Sequence, residues 1–250
     1  MRRALLVLSI APLLTGCQFA LGQNQCDQTA PRQASVAAAG VERLVVEHGA
    51  GKLTITGRSG TTVEARGTAC GASAELLDQV QLRAERSGTT VEVEALYPEG
   101  GRTGLELTLE IPLGLAVEIR DGSGSLAVHR VASVGLDDGS GSVEIDTVGG
   151  AVRIEDGSGS IDVRNAGGPV WVTDGSGTTE IEQVTGDVTV EEDGSGSIRV
   201  RDVGGNVRVG SDGSGSITVT DVGGDFELGA DGSGDVEVTG VEGEVRLPRD

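Results

Sequence analysis

Aromatic side chains are scarce in this 250-residue chain, which has one Trp, one Tyr and two Phe. Its core must therefore be aliphatic, and the 37% of hydrophobic residues is enough to build one. Cations are scarce as well. Lys52 is the single lysine, and with 39 acidic residues the formal charge is −20, deepening to −22 once residues 1–16, with Arg2 and Arg3 and no acid, are set aside. That sign excludes nucleic acid as a partner and gives no electrostatic attraction to an anionic bilayer. Histidine occurs only at His48 and His129, neither in a catalytic motif. The three cysteines, Cys17, Cys26 and Cys70, show no CxxC or Cys/His spacing of the kind that binds zinc. No hydrophobic run is long enough to cross a membrane as a helix: the longest, Ala4–Leu14, has eleven residues.

That run has another reading. Met1-Arg2-Arg3 is a short basic start, Ala4–Leu14 is apolar, and Leu14-Thr15-Gly16-Cys17 follows. The arrangement resembles the lipobox of bacterial lipoproteins, in which a signal peptidase cuts before the cysteine and the thiol receives a diacylglyceryl group. The resemblance implies that residues 1–16 are a signal peptide and that Cys17 is the lipid attachment point. By the same resemblance, Gln18 in place of Asp favours the outer membrane over the inner one. Two or three acyl chains, at about 0.8 kcal/mol per buried methylene, would hold even an acidic protein on a membrane. Residues 17–40 are polar and small, contain Pro31, lack sustained alternation and read as a tether. Cys26 and Cys70 remain as an even pair, which an oxidising compartment would allow to close as a disulfide.

Glycine is abundant, 42 residues, and it is periodic. Asp-Gly-Ser-Gly begins at Asp121, Asp138, Asp156, Asp174, Asp193, Asp212 and Asp231, in steps of 17 to 19 residues. Each motif is followed by an alternating apolar pair, such as Val143/Ile145 or Ile198/Val200. A second glycine turn and a second pair, such as Val152/Ile154 or Val207/Val209, complete the period. Period-two alternation of β-branched residues between glycine clusters means short, half-buried strands. The turns are longer than the two residues of tight hairpins, and they are copied from repeat to repeat, which favours stacked coils over an antiparallel meander. The expected fold is all-β: a parallel β-solenoid, β-roll or β-helix-like, with 17–19-residue coils and two short strands per coil. Seven coils at ~4.8 Å would make a rod of about 34 Å. In this register Asp146, Arg164, Glu182 and Arg201 are successive neighbours of alternating charge.

Upstream, residues 41–120 read as degenerate coils, with Leu44/Val46, Leu53/Ile55 and a longer strand through Leu105, Leu107, Leu109 and Ile111; residues 121–250 form the regular solenoid. The segment from Ile111-Pro112-Leu113-Gly114 through Val117/Ile119 to Gly122-Ser123-Gly124-Ser125 resembles the start of the glycine-rich coils in the "putative adhesin" families of bacteria. The resemblance extends over roughly residues 40–247. It implies a non-catalytic envelope module, structural or interacting, with envelope glycans, proteins or another solenoid as partners.

For catalysis no Ser-His-Asp set recurs around one position, and the Gly-Ser-Gly serines read as turn residues. The aspartates leave two readings open. Asp138, Asp156, Asp174, Asp193, Asp212 and Asp231 stack at one strand spacing, so their repulsion needs relief. Calcium between coils is one means, since the glycine-rich half-repeat is similar to the RTX β-roll, although the aspartate here precedes Gly-Ser-Gly and the RTX aspartate position is apolar (Ile161, Ile198, Ile217). The other is an Asx-type turn in which each carboxylate accepts from the following amides and stays in solvent. Trp171, between inward Val170 and Val172, points outward beside Arg153 and Thr189, either as a surface contact or as a cation–π partner of Arg153.

Overall fold

A computed structural model describes residues 26–248. Among these, twenty-two strands and one short helix build two facing sheets of eleven strands each. The first third contains β1 (Gln28–Ala37), β2 (Arg43–Glu47), β3 (Ala50–Arg58), β4 (Thr62–Gly71), helix α1 (Ala74–Gln79), β5 (Gln81–Ser87), β6 (Thr90–Leu96) and β7 (Thr103–Pro112). Seven regular coils follow. They are β8 (Ala116–Asp121) with β9 (Ser123–Val131), β10 (Ser133–Asp138) with β11 (Gly141–Val148), β12 (Val152–Asp156) with β13 (Gly159–Ala166), and β14 (Val170–Asp174) with β15 (Gly177–Val184). The series continues with β16 (Val188–Asp193) and β17 (Gly196–Val203), β18 (Val207–Asp212) and β19 (Gly215–Val222), and β20 (Phe226–Asp231) and β21 (Val236–Val241), before the short β22 (Val245–Arg246).

Each coil lies parallel on the one before and in register, apart from a one-residue shift between β14 and β16 after Val172. Along one sheet the glycines Gly124, Gly141, Gly159, Gly177, Gly196 and Gly215 are successive partners. The expected solenoid is thus the observed one, and its inner rows are the expected pairs: Val143/Ile145, Val152/Ile154 and their equivalents are buried, except Val236/Val238 of the last coil, which are half-buried. Each Val or Ile so buried stabilises the fold by roughly 1.5–3 kcal/mol.

A third inward row was not expected. Val131, Val148, Ala166, Val184, Val203 and Val222 are also buried. Each follows a left-handed residue with φ between 56° and 60°: Arg130, Thr147, Asn165, Gln183, Asp202 or Asp221. One such residue breaks the alternation as a β-bulge does, turning its successor inward at the corner of the coil.

The corner also explains the motif. The second glycine of each Asp-Gly-Ser-Gly has a positive φ, +143° at Gly177, and a Cβ built there would lie 1.5 Å from the Gly159 carbonyl oxygen of the coil beneath. No side chain fits, so the motif recurs because backbone stacks on backbone.

The amino-terminal third departs from the expected series of coils. Spatially, the coil of β2 and β3 lies between the coil of β6 and β7 and that of β8 and β9, since β2 pairs in parallel with both β6 and β8, and β3 with both β7 and β9. Beyond β7 the sheet continues antiparallel through β4 and β1, and beyond β6 through β5. Period-two patterning identified strands here but carries no information on partner or direction. The expected tether over 17–40 is also corrected, because residues 28–37 form β1. Its inner side is Ala30, Arg32, Ala34 and Val36, all half-buried, a row too small and polar to stand out as alternation. Arg32 holds it in place, its Nε donating to the Val80 carbonyl and its Nη2 to the Leu77 carbonyl, both at 2.7 Å, at the carboxyl end of α1.

Gly177→Ala is expected to cost about 3 kcal/mol or more. Gly135→Ala, where the new Cβ would come no nearer than 3.7 Å to Glu118, is expected to be neutral or stabilising by up to about 1 kcal/mol. Urea unfolding of the two variants distinguishes a stacking requirement from a general sensitivity to alanine.

Candidate functional site

Alternation decides where the aspartates go. In β12, Val152, Ile154 and Asp156 all point inward while Arg153 and Glu155 point out. The same pattern closes β8, β10 and β14, and in β16 and β18 one extra residue before the aspartate forms a bulge that brings it back inward, so Asp121, Asp138, Asp156, Asp174, Asp193 and Asp212 are buried, with Asp193 only 2% exposed. Asp231 ends the column half-buried. All seven are direct register partners. The solvent-facing Asx turn is therefore corrected. Some of its hydrogen bonds exist, with the Ser158 and Ser176 amides donating to Asp156 and Asp174 at 3.3 and 3.0 Å. The charge, however, lies inside the solenoid.

This column is poorly compensated. Oδ1 of Asp138, Oδ2 of Asp156 and both carboxyl oxygens of Asp193 and Asp212 are buried without a hydrogen-bond partner. Two carboxylates one strand spacing apart, ~4.8 Å, repel by about 3.5 kcal/mol at an effective dielectric of about 20. Burial, with the neighbouring aspartates next, pushes Asp138 and Asp193 up to about 6. Burial also raises Asp156, Asp174 and Asp212. Thr179, fully buried at a position that is Ile161 and Ile198 in the adjacent coils, donates from Oγ1 to Asp174 at 3.4 Å. Calcium finds no gathered ligand set here: among the described residues no three His, Cys, Asp or Glu side chains are grouped to hold a metal ion.

His48 closes the column at the Asp121 end. Its Nδ1 lies 2.8 Å from Asp121 Oδ1 and its Nε2 2.8 Å from the Leu105 carbonyl oxygen. The two side chains are 0% and 1% exposed. Both ring nitrogens face acceptors, so either the ring carries two protons or Asp121 carries one. A histidine–aspartate pair is half of a common catalytic device, but here neither nitrogen is free to exchange a proton with a substrate. The tyrosine ring of Tyr97 meets His48 edge-on, with centroids 6.4 Å apart.

The outer faces carry laddered charge. Asp146, Arg164, Glu182 and Arg201 are successive register partners. Arg201 donates to Glu182 at 2.5 Å, and this bond holds the Glu182 carboxyl below its ordinary range. On the other sheet Trp171 is half-buried and outward, paired with Arg153 and Thr189. The Arg153 guanidinium bonds Glu155 at 3.0 Å. Next to it, Gly135 lacks a side chain and leaves a shallow depression of about 430 Å³ between Glu118 and Arg153.

Cys26 and Cys70 are joined by a disulfide, with Cα atoms 5.5 Å apart, tying the start of the fold to the end of β4. Cys17 lies outside the described residues.

No family model matches the chain, and no curated protein matches it. Solved structures do. A "putative lipid binding protein" from Parabacteroides distasonis is 14% identical, with 88% of this chain and 97% of that one covered at a TM-score of 0.49. A "putative adhesin" from Bacteroides fragilis is 10% identical, with 89% and 98% covered and a TM-score of 0.39. A "putative cell adhesion protein" from Clostridium sporogenes is 13% identical, with 88% and 99% covered and a TM-score of 0.33. At this level of similarity none of them informs what this chain binds.

His48→Ala is expected to destabilise by about 3–5 kcal/mol, because it strands the buried Asp121 carboxyl. Adding Asp121→Ala should cost much less than it does alone. A double-mutant cycle in urea measures the coupling, and additive losses would mean that the pair is not an interacting unit.

Proposed function

We propose that this chain is a lipid-anchored protein of the bacterial cell envelope, outer membrane rather than inner, whose solenoid is a non-catalytic interaction module. The observation that carries the reading is the amino-terminal run: Arg2 and Arg3, eleven apolar residues, then Leu14-Thr15-Gly16-Cys17 and Gln18. The Cys26–Cys70 disulfide supports an oxidising compartment. A non-catalytic role is supported by the sealed His48–Asp121 pair and by outer faces built as flat charge ladders with shallow relief.

On those faces Trp171 is the contact anchor. It is large, rigid and half-exposed on a flat strand, separated by Arg153 from the depression over Gly135, and Arg153, Glu155 and Thr189 around it offer donors and acceptors. The partners that fit are envelope glycans, proteins or another solenoid. The reading rests on these residues and not on the names of similar structures.

Cys17→Ser is expected to move the protein from the membrane fraction to the soluble fraction and to remove the acyl mass from its amino-terminal peptide. Retention of both in the variant would refute the anchor. Trp171→Ala is expected to reduce recovery of partners in pulldowns from envelope fractions without lowering the urea midpoint; unchanged recovery would remove this face from consideration.

A further inference from the structure

The interior column reaches beyond the anchoring role and stands independently of it. We propose that the stacked aspartates form a proton-binding site, in which neighbouring carboxyls hold protons between them as acid–carboxylate pairs. Three observations carry this. The seven aspartates are register partners with no residue interposed. Six of them are more than nine-tenths buried. Carboxyl oxygens of Asp138, Asp156, Asp193 and Asp212 have no partner. A metal needs several ligands converging on one point, whereas a shared proton needs one oxygen on each side, which is what a stacked column offers.

The hydrogen bonds also say where the protons sit. Asp174 accepts from the Ser176 amide and the Thr179 hydroxyl and is thereby provided for as a carboxylate, and the Asp121 carboxyl is engaged by the Gly122 amide at 3.0 Å and by His48. Asp138 lies between Asp121 and Asp156, and Asp193 between Asp174 and Asp212. Asp138 and Asp193, each buried with an unpartnered carboxyl oxygen and each stacked on one of these engaged carboxyls, are taken as the acids, donating an O–H to a stacked neighbour in a short, charge-assisted bond. These two are also the carboxyls pushed up to about 6. The titratable groups facing the column from other elements are His48 and, behind it, Tyr97, both at the Asp121 end. Arg120, Asp137, Glu155 and Glu192, each next to a column aspartate in sequence, are exposed on the outer face.

The sign follows from linkage. The folded protein binds protons that the unfolded chain has already released, so stability is greatest near the ordinary carboxylate pKa and falls as pH rises through about 6. Glu182, lowered by Arg201, acts oppositely, its contribution being lost only at more acidic pH. Each column acid should make the folding equilibrium constant about tenfold larger at pH 5 than at pH 8.

The test is urea unfolding of the full exported chain at pH 5 and pH 8, for the wild type, the Asp138→Asn/Asp193→Asn double variant and the exposed control Asp137→Asn. The wild type and the control are expected to be at least about 100-fold more stable at pH 5, and the double variant to lose most of that dependence, the remainder coming from Asp156, Asp174 and Asp212. Stability that rises from pH 5 to pH 8, or a slope undiminished in the double variant, overturns the proposal. So does a midpoint at pH 8 raised by calcium chloride beyond sodium chloride of equal ionic strength, which would make the column a metal site. Should the double variant not fold, infrared spectroscopy of the wild type at pH 6 decides, where ordinary carboxyls are almost fully ionised: a protonated-carboxyl carbonyl band larger in the folded protein than in the unfolded chain supports the site, and one no larger refutes it.

Discussion

At each corner of the solenoid the carbonyl of one turn glycine occupies the place where a Cβ of the next coil's glycine would be. This contact of backbone with backbone sets the spacing of everything else. Because the second glycine of each Asp-Gly-Ser-Gly corner can stack only on another glycine, the coils are held against slipping by a residue, and a one-residue slip would turn every inward valine to solvent. The hydrogen-bond ladder then runs unbroken through the corner, as in the donation from the Gly175 amide to the Asp156 carbonyl at 3.0 Å. The aliphatic rows fill the narrow space between the sheets without aromatic bulk, consistent with a composition that almost lacks it.

Strict register has an electrostatic consequence. Whatever occupies one position in a coil is repeated at one strand spacing in the next. Outside, this is harmless where signs alternate, as in Asp146, Arg164, Glu182 and Arg201, and where water screens the rest. Inside, the residue that begins each turn is also the last inward residue of its strand, so seven aspartates form a column in a medium that cannot screen them. Thr179 and His48 each relieve one place in it. Turn amides such as those of Gly122, Ser158 and Ser176 reach some of the other oxygens, but several of those of Asp138, Asp156, Asp193 and Asp212 have no partner, and this makes the column the most chemically loaded feature of the interior.

The site was partly legible beforehand. Val152, Ile154 and Asp156 alternate with Arg153 and Glu155, and strict period-two reading places Asp156 inward. Assigning the aspartate to the turn and its charge to solvent followed the general rule that ionisable groups avoid cores, and here register overrode that rule. The third inward row at Val148 and its equivalents was less legible, since it depends on a left-handed residue that local preference suggests at Asn165, Asp202 and Asp221 but not at Arg130, Thr147 or Gln183. Arg32 likewise could not be placed, because its role as a brace for the carboxyl end of α1 depends on carbonyls 45 and 48 residues away.

What the residues determined by themselves was the period, the parallel stacking, the two main inner rows and the outward ladders, because a repeat at nearly constant spacing implies its own register. Trp171 beside Arg153 and Thr189 is one product of that implication. Tertiary structure alone decided the order of coils at the amino-terminal end, where β2 and β3 lie between strands that follow them in the chain, and the recruitment of residues 28–37 as an antiparallel edge. Alternation states which face of a strand is buried but not which neighbour or direction satisfies its backbone groups, and where no repeat supplies that information only the assembled sheet does.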